Sequence, residues 1–289
     1  MSVQKSRTAL REAPGAYLLD LQAAGRSPLT IISYRMVLTD LLRFLEERNV
    51  TDWPAVSPGV LRQYLAAHLE NGSKASTMRT WGTIVSCFFH WLVQEGIVDD
   101  NPMSHVRRPK RPQRLIKTFT EPELRALFVA AERTYHPIRN KAIISLLVDC
   151  GLRKAELLAV TPGDYDAANS ALIIHGKGRK VRILSMGKRC QQAFEAQLES
   201  MNGSLWGMDR GGLRDMIHAL GERAGVLAYC HKFRHTFANR FLDAGGTIDE
   251  LQYLMGHSEI TTTMIYAAAG QEQRARRSHV LHSPLDALV

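Results

Sequence analysis

The sequence has no apolar run approaching the ~20 residues that a helix needs to cross a bilayer and no apolar leader at its N-terminus. Its four cysteines, Cys87, Cys150, Cys190 and Cys230, are scattered, with no closely spaced pair of the kind that marks a metal or redox site. They read as reduced, buried thiols in a cytosolic protein. No cluster of carboxylates suggests bound Mg²⁺, so a metal-dependent nuclease finds no support. No internal repeat or low-complexity tract is visible. Neither the segment 106–117 nor the run from His231 to Arg240 holds an acidic residue.

What is present is a chain of 289 residues, 45% hydrophobic, long enough for two ordinary domains with sizeable cores. The net charge is +9, and its distribution says more than its size. Residues 1–105 carry as many acidic as basic side chains. The segment 106–117 holds Arg107, Arg108, Lys110, Arg111, Arg114 and Lys117. A short block of one sign fits a strap across a polyanion such as DNA; a solvated linker is the ordinary alternative. Pro109 and Pro112 stiffen it.

The organisation follows from start and stop signals. Residues 1–11 read as a flexible tail. Helical patterns run over 12–26, from Pro28 to about Arg48, from Pro58 to Glu70 and from about Ser76 to Glu95. Ser27-Pro28 and Ser57-Pro58 supply N-caps and first-turn prolines. Residues 12–105 therefore form a four-helix domain, 106–117 a basic interdomain linker, and 118–289 a second domain. That domain opens with a capping box, Thr120 and Glu123. Helices are expected at 121–132, 137–150, 152–158, 186–200, 210–224, 231–244, 248–255 and from Ile260. Ala171–Ile174 and Val181–Leu184 read as a β-hairpin with Lys177 at its tip. The fold class is mainly α, with a small β-hairpin or sheet. In the C-terminal tail Leu281, Leu285 and Leu288 form an apolar stripe in need of a surface to pack on.

The chemistry concentrates in the second domain. His231 and Arg234 stand at i and i+3 on one helix and can grip a phosphate together, while Phe233, Phe237 and Phe241 form an apolar stripe. A tyrosine phenol, with a pKa near ~10, is a poor nucleophile unless nearby cations favour the phenolate. It can attack a phosphodiester if guanidiniums neutralise the non-bridging oxygens and an acid protonates the leaving alkoxide. Arg153, Arg234, His231 and His257 can do the first, and Lys177 the second. Each alone has a plainer reading: Arg153 on the surface, Lys177 as a solvated turn residue, His257 as a helix C-terminal cap, Tyr266 as a half-buried aromatic. A ribonuclease or phosphatase could also use His and Arg, so order and spacing must decide.

The ordered set Gly151-Leu152-Arg153-Lys154-Ala155-Glu156, Gly176-Lys177-Gly178, His231-Lys232-Phe233-Arg234-His235-Thr236, Met255-Gly256-His257-Ser258 and Thr262-Thr263-Met264-Ile265-Tyr266 resembles the tyrosine recombinase (phage integrase) family. Within it the chain looks like the simple, Xer-like or small-phage type without an arm-binding domain. The resemblance covers the whole second domain and, more loosely, the first. It implies a helical, SAM-like core-binding domain and a catalytic domain that clamp DNA, with a C-terminal exchange tail at about 270–289. It implies Tyr266 as the nucleophile forming a 3′-phosphotyrosyl link, Arg153 and Arg234 as the phosphate clamp, and Lys177 as the acid for the leaving oxygen. His231 would assist proton transfer at Tyr266, His257 would hydrogen-bond the phosphate, and Glu156 would steady the site. It further implies no cofactor and no metal. The expected partner is double-stranded DNA with an inverted-repeat core site. The protein would be a monomer when free and a homotetramer in the synaptic complex, in the bacterial cytoplasm or nucleoid. The expected activity is site-specific recombination, as in phage integration or dimer resolution. Two other functions share these features: a catalytically silent DNA-binding regulator and a type IB topoisomerase.

Overall fold

The computed structural model describes residues 10–108, 116–176, 181–257 and 259–268. The chain divides into two compact units, Met1–Arg114 and Leu115–Val289.

The first unit is built from α1 (Glu12–Ala23), α2 (Pro28–Glu46), α3 (Pro58–Glu70) and α4 (Ala75–Gln94), followed by a 3-10 turn at Pro102–His105. Ser27 and Ser57 cap as their sequence context requires: their Oγ atoms accept from Thr30 N at 3.2 Å and Val60 N at 3.3 Å. α1 stops three residues short of the expected Arg26, because Arg26 N–H turns back to Leu21 O at 3.0 Å. The core joins Leu38, Leu41 and Leu45 of α2, Leu61 and Tyr64 of α3, and Phe88, Phe89 and Leu92 of α4, with Trp53 edge-on to Phe88 at 4.9 Å. Arg108 lies along α4 and donates to Thr83 Oγ1 at 3.1 Å. Arg107 and Lys117 are solvent-exposed, whereas Lys110, Arg111 and Arg114 lie outside the described residues.

The second unit contains α5 (Glu121–Glu132), α6 (Pro137–Asp149), α7 (Lys154–Ala159), β1 (Tyr165–Asp166), β2 (Ala171–His175), β3 (Val181–Ser185), α8 (Lys188–Ser200), α9 (Arg210–Ala224), α10 (Cys230–Asp243), α11 (Ile248–Met255) and α12 (Thr261–Ala268). The three strands pair antiparallel in the order β1-β2-β3, with Leu172 opposite both Tyr165 and Leu184. α6 runs through the middle of the core: Ala142, Ile143, Ile144, Leu146 and Leu147 are wholly buried. The phenylalanine stripe of α10 serves two clusters. Phe233 packs on Phe119 in the main core, and Phe237 joins Leu242, Leu251, Met255 and Tyr266 in a smaller one. That smaller cluster joins α10 to α11 and α12.

Several expectations are corrected. The hairpin gains a third strand that the sequence did not indicate: β1 pairs only two residues, too short for any alternation to show. α7 begins at Lys154 because Arg153 is its extended N-cap residue. α8 begins two residues late because Met186 N still bonds Ser170 O and Gly187 N donates to Asp149 Oδ2. The cysteines are not uniformly buried: Cys87 is exposed and Cys230 half-buried. Nor are they all apart. Cys150 and Cys190 meet at the ends of α6 and α8, and their sulfurs lie with an Asp149 oxygen within 4.8 Å of one another. Hydrogen bonding to Cys150, together with burial, drives the Cys190 thiol far up, so it packs as a protonated thiol. Among the described residues no helix is long and apolar enough to cross a membrane.

Candidate active site

Arg234 is the centre of the constellation. It is 2% exposed, a position that a guanidinium tolerates only with its donors satisfied. Nη1 donates to Gly151 O at 2.5 Å, and Nη2 donates to Met255 O at 2.6 Å and to His257 Nε2 at 2.9 Å. One α10 side chain thus ties together the loop before α7 and the end of α11. Burial and then Arg153 lower its pKa to about 10, so it stays charged at neutral pH.

Arg153 reaches the same place from the start of α7. Glu156, at the third helical position, turns back so that Oε2 accepts the Arg153 backbone N–H at 2.9 Å. Glu156 Oε1 accepts Arg153 Nη1 at 2.7 Å, and Arg153 Nη2 donates to Gly256 O at 3.3 Å. Arg153 keeps over a third of its side-chain surface open, as a group that meets a ligand must.

A third arginine, absent from the sequence-level set, organises these two. Arg182 on β3 is 6% exposed and grips Glu156 with both Nη atoms, at 3.2 and 2.9 Å. Its Nε donates to Leu254 O at 2.8 Å. Burial alone would raise the Glu156 pKa, but the bonds from Arg182 and Arg153 win and hold it at about 2. β3 is inverted relative to its sequence pattern: Val181 and Ile183 face outward while Arg182 and Leu184 face in. Alternation gives the period of a strand but not its inner face, and here the charged residue occupies that face.

His257 follows the left-handed Gly256 that ends α11. Its backbone does cap that helix, its N–H reaching Gln252 O at 3.1 Å, while its ring faces the arginines. Because Arg234 can only donate, Nε2 of His257 is the acceptor; Nδ1 then carries the proton and donates to Thr263 Oγ1 at 2.8 Å. Burial and the three nearby arginines lower its pKa to about 4.

Tyr266, on α12, is 3% exposed. Its hydroxyl meets His235 Nδ1 at 2.9 Å. Burial raises the phenol pKa, and the charges of Arg234 and then Arg153 oppose that rise. His231, expected beside the phenol, is solvent-exposed and sits edge-on to His235, ring centroids 5.4 Å apart. Lys232, inside the same motif, points away: buried, it approaches Glu123 Oε1 at 3.3 Å and lies over the Phe119 ring at 4.1 Å. Lys177 lies outside the described residues.

The structure therefore brings Arg153, Glu156, Arg234, His257 and Tyr266 into one cluster, with His231 at its rim. Sequence reasoning missed Arg182, Thr263 and the role of His235. The signal for His235 was present, since it follows Arg234 directly, but its partner lies 31 residues away. Chemically the cluster offers two guanidiniums, uncharged imidazoles and a phenol. Such a set can hold an anion and offers one phenol oxygen capable of nucleophilic attack.

Comparison with known proteins agrees with this chemistry. Residues 117–273 match the phage integrase family, and residues 15–96 match the phage integrase N-terminal SAM-like domain. The tyrosine recombinase XerC of Pseudomonas fluorescens is 32% identical over 254 residues, covering 83% of this chain and 85% of that one. Two solved structures share the fold. A lambda integrase dimer bound to a COC′ core site aligns with TM-score 0.74 at 17% identity, over 91% of this chain and 78% of that one. The Tn1549 transposon integrase in complex with circular intermediate DNA aligns with TM-score 0.74 at 20% identity, over 98% and 100%.

Proposed function

As the chain belongs to the phage integrase family and is a site-specific tyrosine recombinase, we propose that it cuts and rejoins DNA through Tyr266. The observation that carries this assignment is the convergence of Arg153 and Arg234 with His257, on two elements fastened by Arg234, around a phenol whose pKa burial raises against the opposing charge of those arginines.

In the proposed reaction Arg153 and Arg234 receive the non-bridging oxygens of the scissile phosphate. The Tyr266 oxygen attacks phosphorus, the bond to the 5′ oxygen breaks, and Lys177 gives that oxygen its proton. A 3′-phosphotyrosyl link stores the bond energy, and the 5′ hydroxyl of a partner strand attacks it to complete exchange. No cofactor enters this scheme. His257 Nε2 accepts from Arg234 in the free site, so donating to a phosphate requires that it first gain a proton there. An arriving anion favours that gain, because it offsets the cations that keep the ring neutral.

The partner is double-stranded DNA with an inverted-repeat core site, approached by the basic run that includes Arg107, Arg108 and Lys117. Four copies act on two sites, with the segment beyond about residue 270 reaching a neighbour, and the protein works in the bacterial cytoplasm on the nucleoid. The domain limits that support this reading are a core-binding domain at 12–105, a linker at 106–117 and a catalytic domain from 118. A duplex site selected from a randomised pool by the full chain, placed in two copies on one plasmid, tests the reading. Deletion or inversion between the copies is expected; relaxed plasmid without recombinant junctions would indicate a topoisomerase instead.

A further inference from the structure

We propose that His235 is a catalytic residue of this recombinase: its Nδ1 takes the phenolic proton as Tyr266 attacks and returns it when the phosphotyrosyl bond is resolved. The proposal rests on Tyr266 being the nucleophile and adds a group that this assignment leaves out.

The geometry is direct. His235 Nδ1 stands 2.9 Å from the Tyr266 hydroxyl, within the range of a proton-transfer hydrogen bond. The two residues come from α10 and α12, which pack through the small cluster of Phe237, Leu242, Leu251 and Met255, so the contact is held by the fold. His231 is exposed, and its ring stands edge-on to the ring of His235. The charges that act on His235 come from its own helix, His231 and Arg234; α12 contributes Tyr266, and Arg153 at the start of α7 acts in turn on His231 and Tyr266. Partial burial and then these neighbours lower the His235 pKa to about 4, so at neutral pH the ring is uncharged and able to accept. A phosphodiester bound between Arg153 and Arg234 offsets that positive field, which raises the basicity of His235 at the moment it is needed.

The step balances. The Tyr266 oxygen forms its bond to phosphorus, and its proton passes to His235 Nδ1. The bond from phosphorus to the 5′ oxygen breaks, and that oxygen takes a proton from the acid assigned to Lys177. In rejoining, the incoming 5′ hydroxyl gives its proton to that same group, left neutral by the first step, and the departing phenolate recovers its own from His235.

The test uses the full chain and a nicked suicide duplex carrying the pool-selected site, with covalent complex measured in a single turnover. His235→Asn places an amide where Nδ1 was, so it keeps a hydrogen bond to the phenol but cannot carry a proton through neutral pH. Cleavage is expected to slow by about 10²–10⁴-fold with DNA binding unchanged, and the acidic limb of the wild-type pH–rate profile should disappear. A 5′-bridging phosphorothiolate, whose leaving group needs no acid, should rescue Lys177→Ala and leave His235→Asn slow. A His235→Asn protein that cleaves within threefold of wild type with the wild-type pH profile would overturn the proposal. If that variant fails to fold, ¹⁵N-histidine spectra of the unaltered protein decide: Nδ1 of His235 must be bare at neutral pH, and a protonated Nδ1 would equally overturn it. Absence of covalent complex from the wild-type chain would instead refute the nucleophile assignment itself.

Discussion

Arg182 holds Glu156 through both of its terminal nitrogens in an interior where each is 6% exposed, and Glu156 in turn holds Arg153 by backbone and side chain. This chain of contacts sets the position of an arginine assigned to the phosphate. Both carboxylate oxygens of Glu156 are taken up by Arg153 and Arg182, so Arg182 fixes Glu156 and Glu156 fixes Arg153.

Arg182→Met therefore leaves a buried carboxylate with half of its partners. Removing one member of a buried pair costs about 3–5 kcal/mol, and denaturant unfolding should show a loss of that size. Arg182→Lys, which cannot reproduce the two-pronged contact, should recover only part of it. Full stability in the Met variant would mean that Glu156 is satisfied in some other way.

Acid should remove stability in two stages. His235 and His257 have pKa values lowered from 6.5 to about 4 in the folded chain. Each binds its proton more readily when unfolded, so the stability they contribute is complete above pH 6.5 and falls away as pH drops towards 4. Glu156, lowered from 4.5 to about 2, contributes above 4.5 and loses that contribution as pH falls towards 2. Urea unfolding from pH 7 to pH 3 should show the first stage, and His257→Asn should flatten it. A wild-type curve that stays level from pH 7 to pH 4.5 would contradict the buried, uncharged histidines.

Much of this site could be read from the chain alone. The helix limits Glu121–Glu132 and Arg210–Ala224 follow from caps and breakers, because those signals are local. Order and spacing single out Arg153, Arg234, His257 and Tyr266, which the fold brings together. Arg182 escapes them, since on β3 it stands between Val181 and Ile183 and looks like the solvated face of an amphipathic strand; only packing reveals that those two apolar residues point outward. His235 and Thr263 were missed for a related reason. Each is ordinary in its own helix and gains meaning from a partner on another element. Cys150 and Cys190 likewise meet only once α6 and α8 pack.

Gly151 tests how tightly the loop before Arg153 is held. It adopts φ +58, and a Cβ there would stand 2.3 Å from Phe237 Cδ1. Gly151→Ala adds left-handed strain of about 1–2 kcal/mol to a clash with the smaller cluster's aromatic. A loss above 2 kcal/mol is expected, together with slower cleavage, because Gly151 O also receives Arg234 Nη1. A stability change under 0.5 kcal/mol would show that the loop yields freely.

The central claim is that the Tyr266 oxygen becomes bonded to DNA. Wild-type protein trapped on the nicked duplex, digested with trypsin and nuclease and read by tandem mass spectrometry, should yield one peptide carrying a nucleotide 3′-phosphate on Tyr266. Tyr266→Phe should bind the same duplex and yield none. An adduct on any other residue, or one that survives in the Phe variant, would contradict the account.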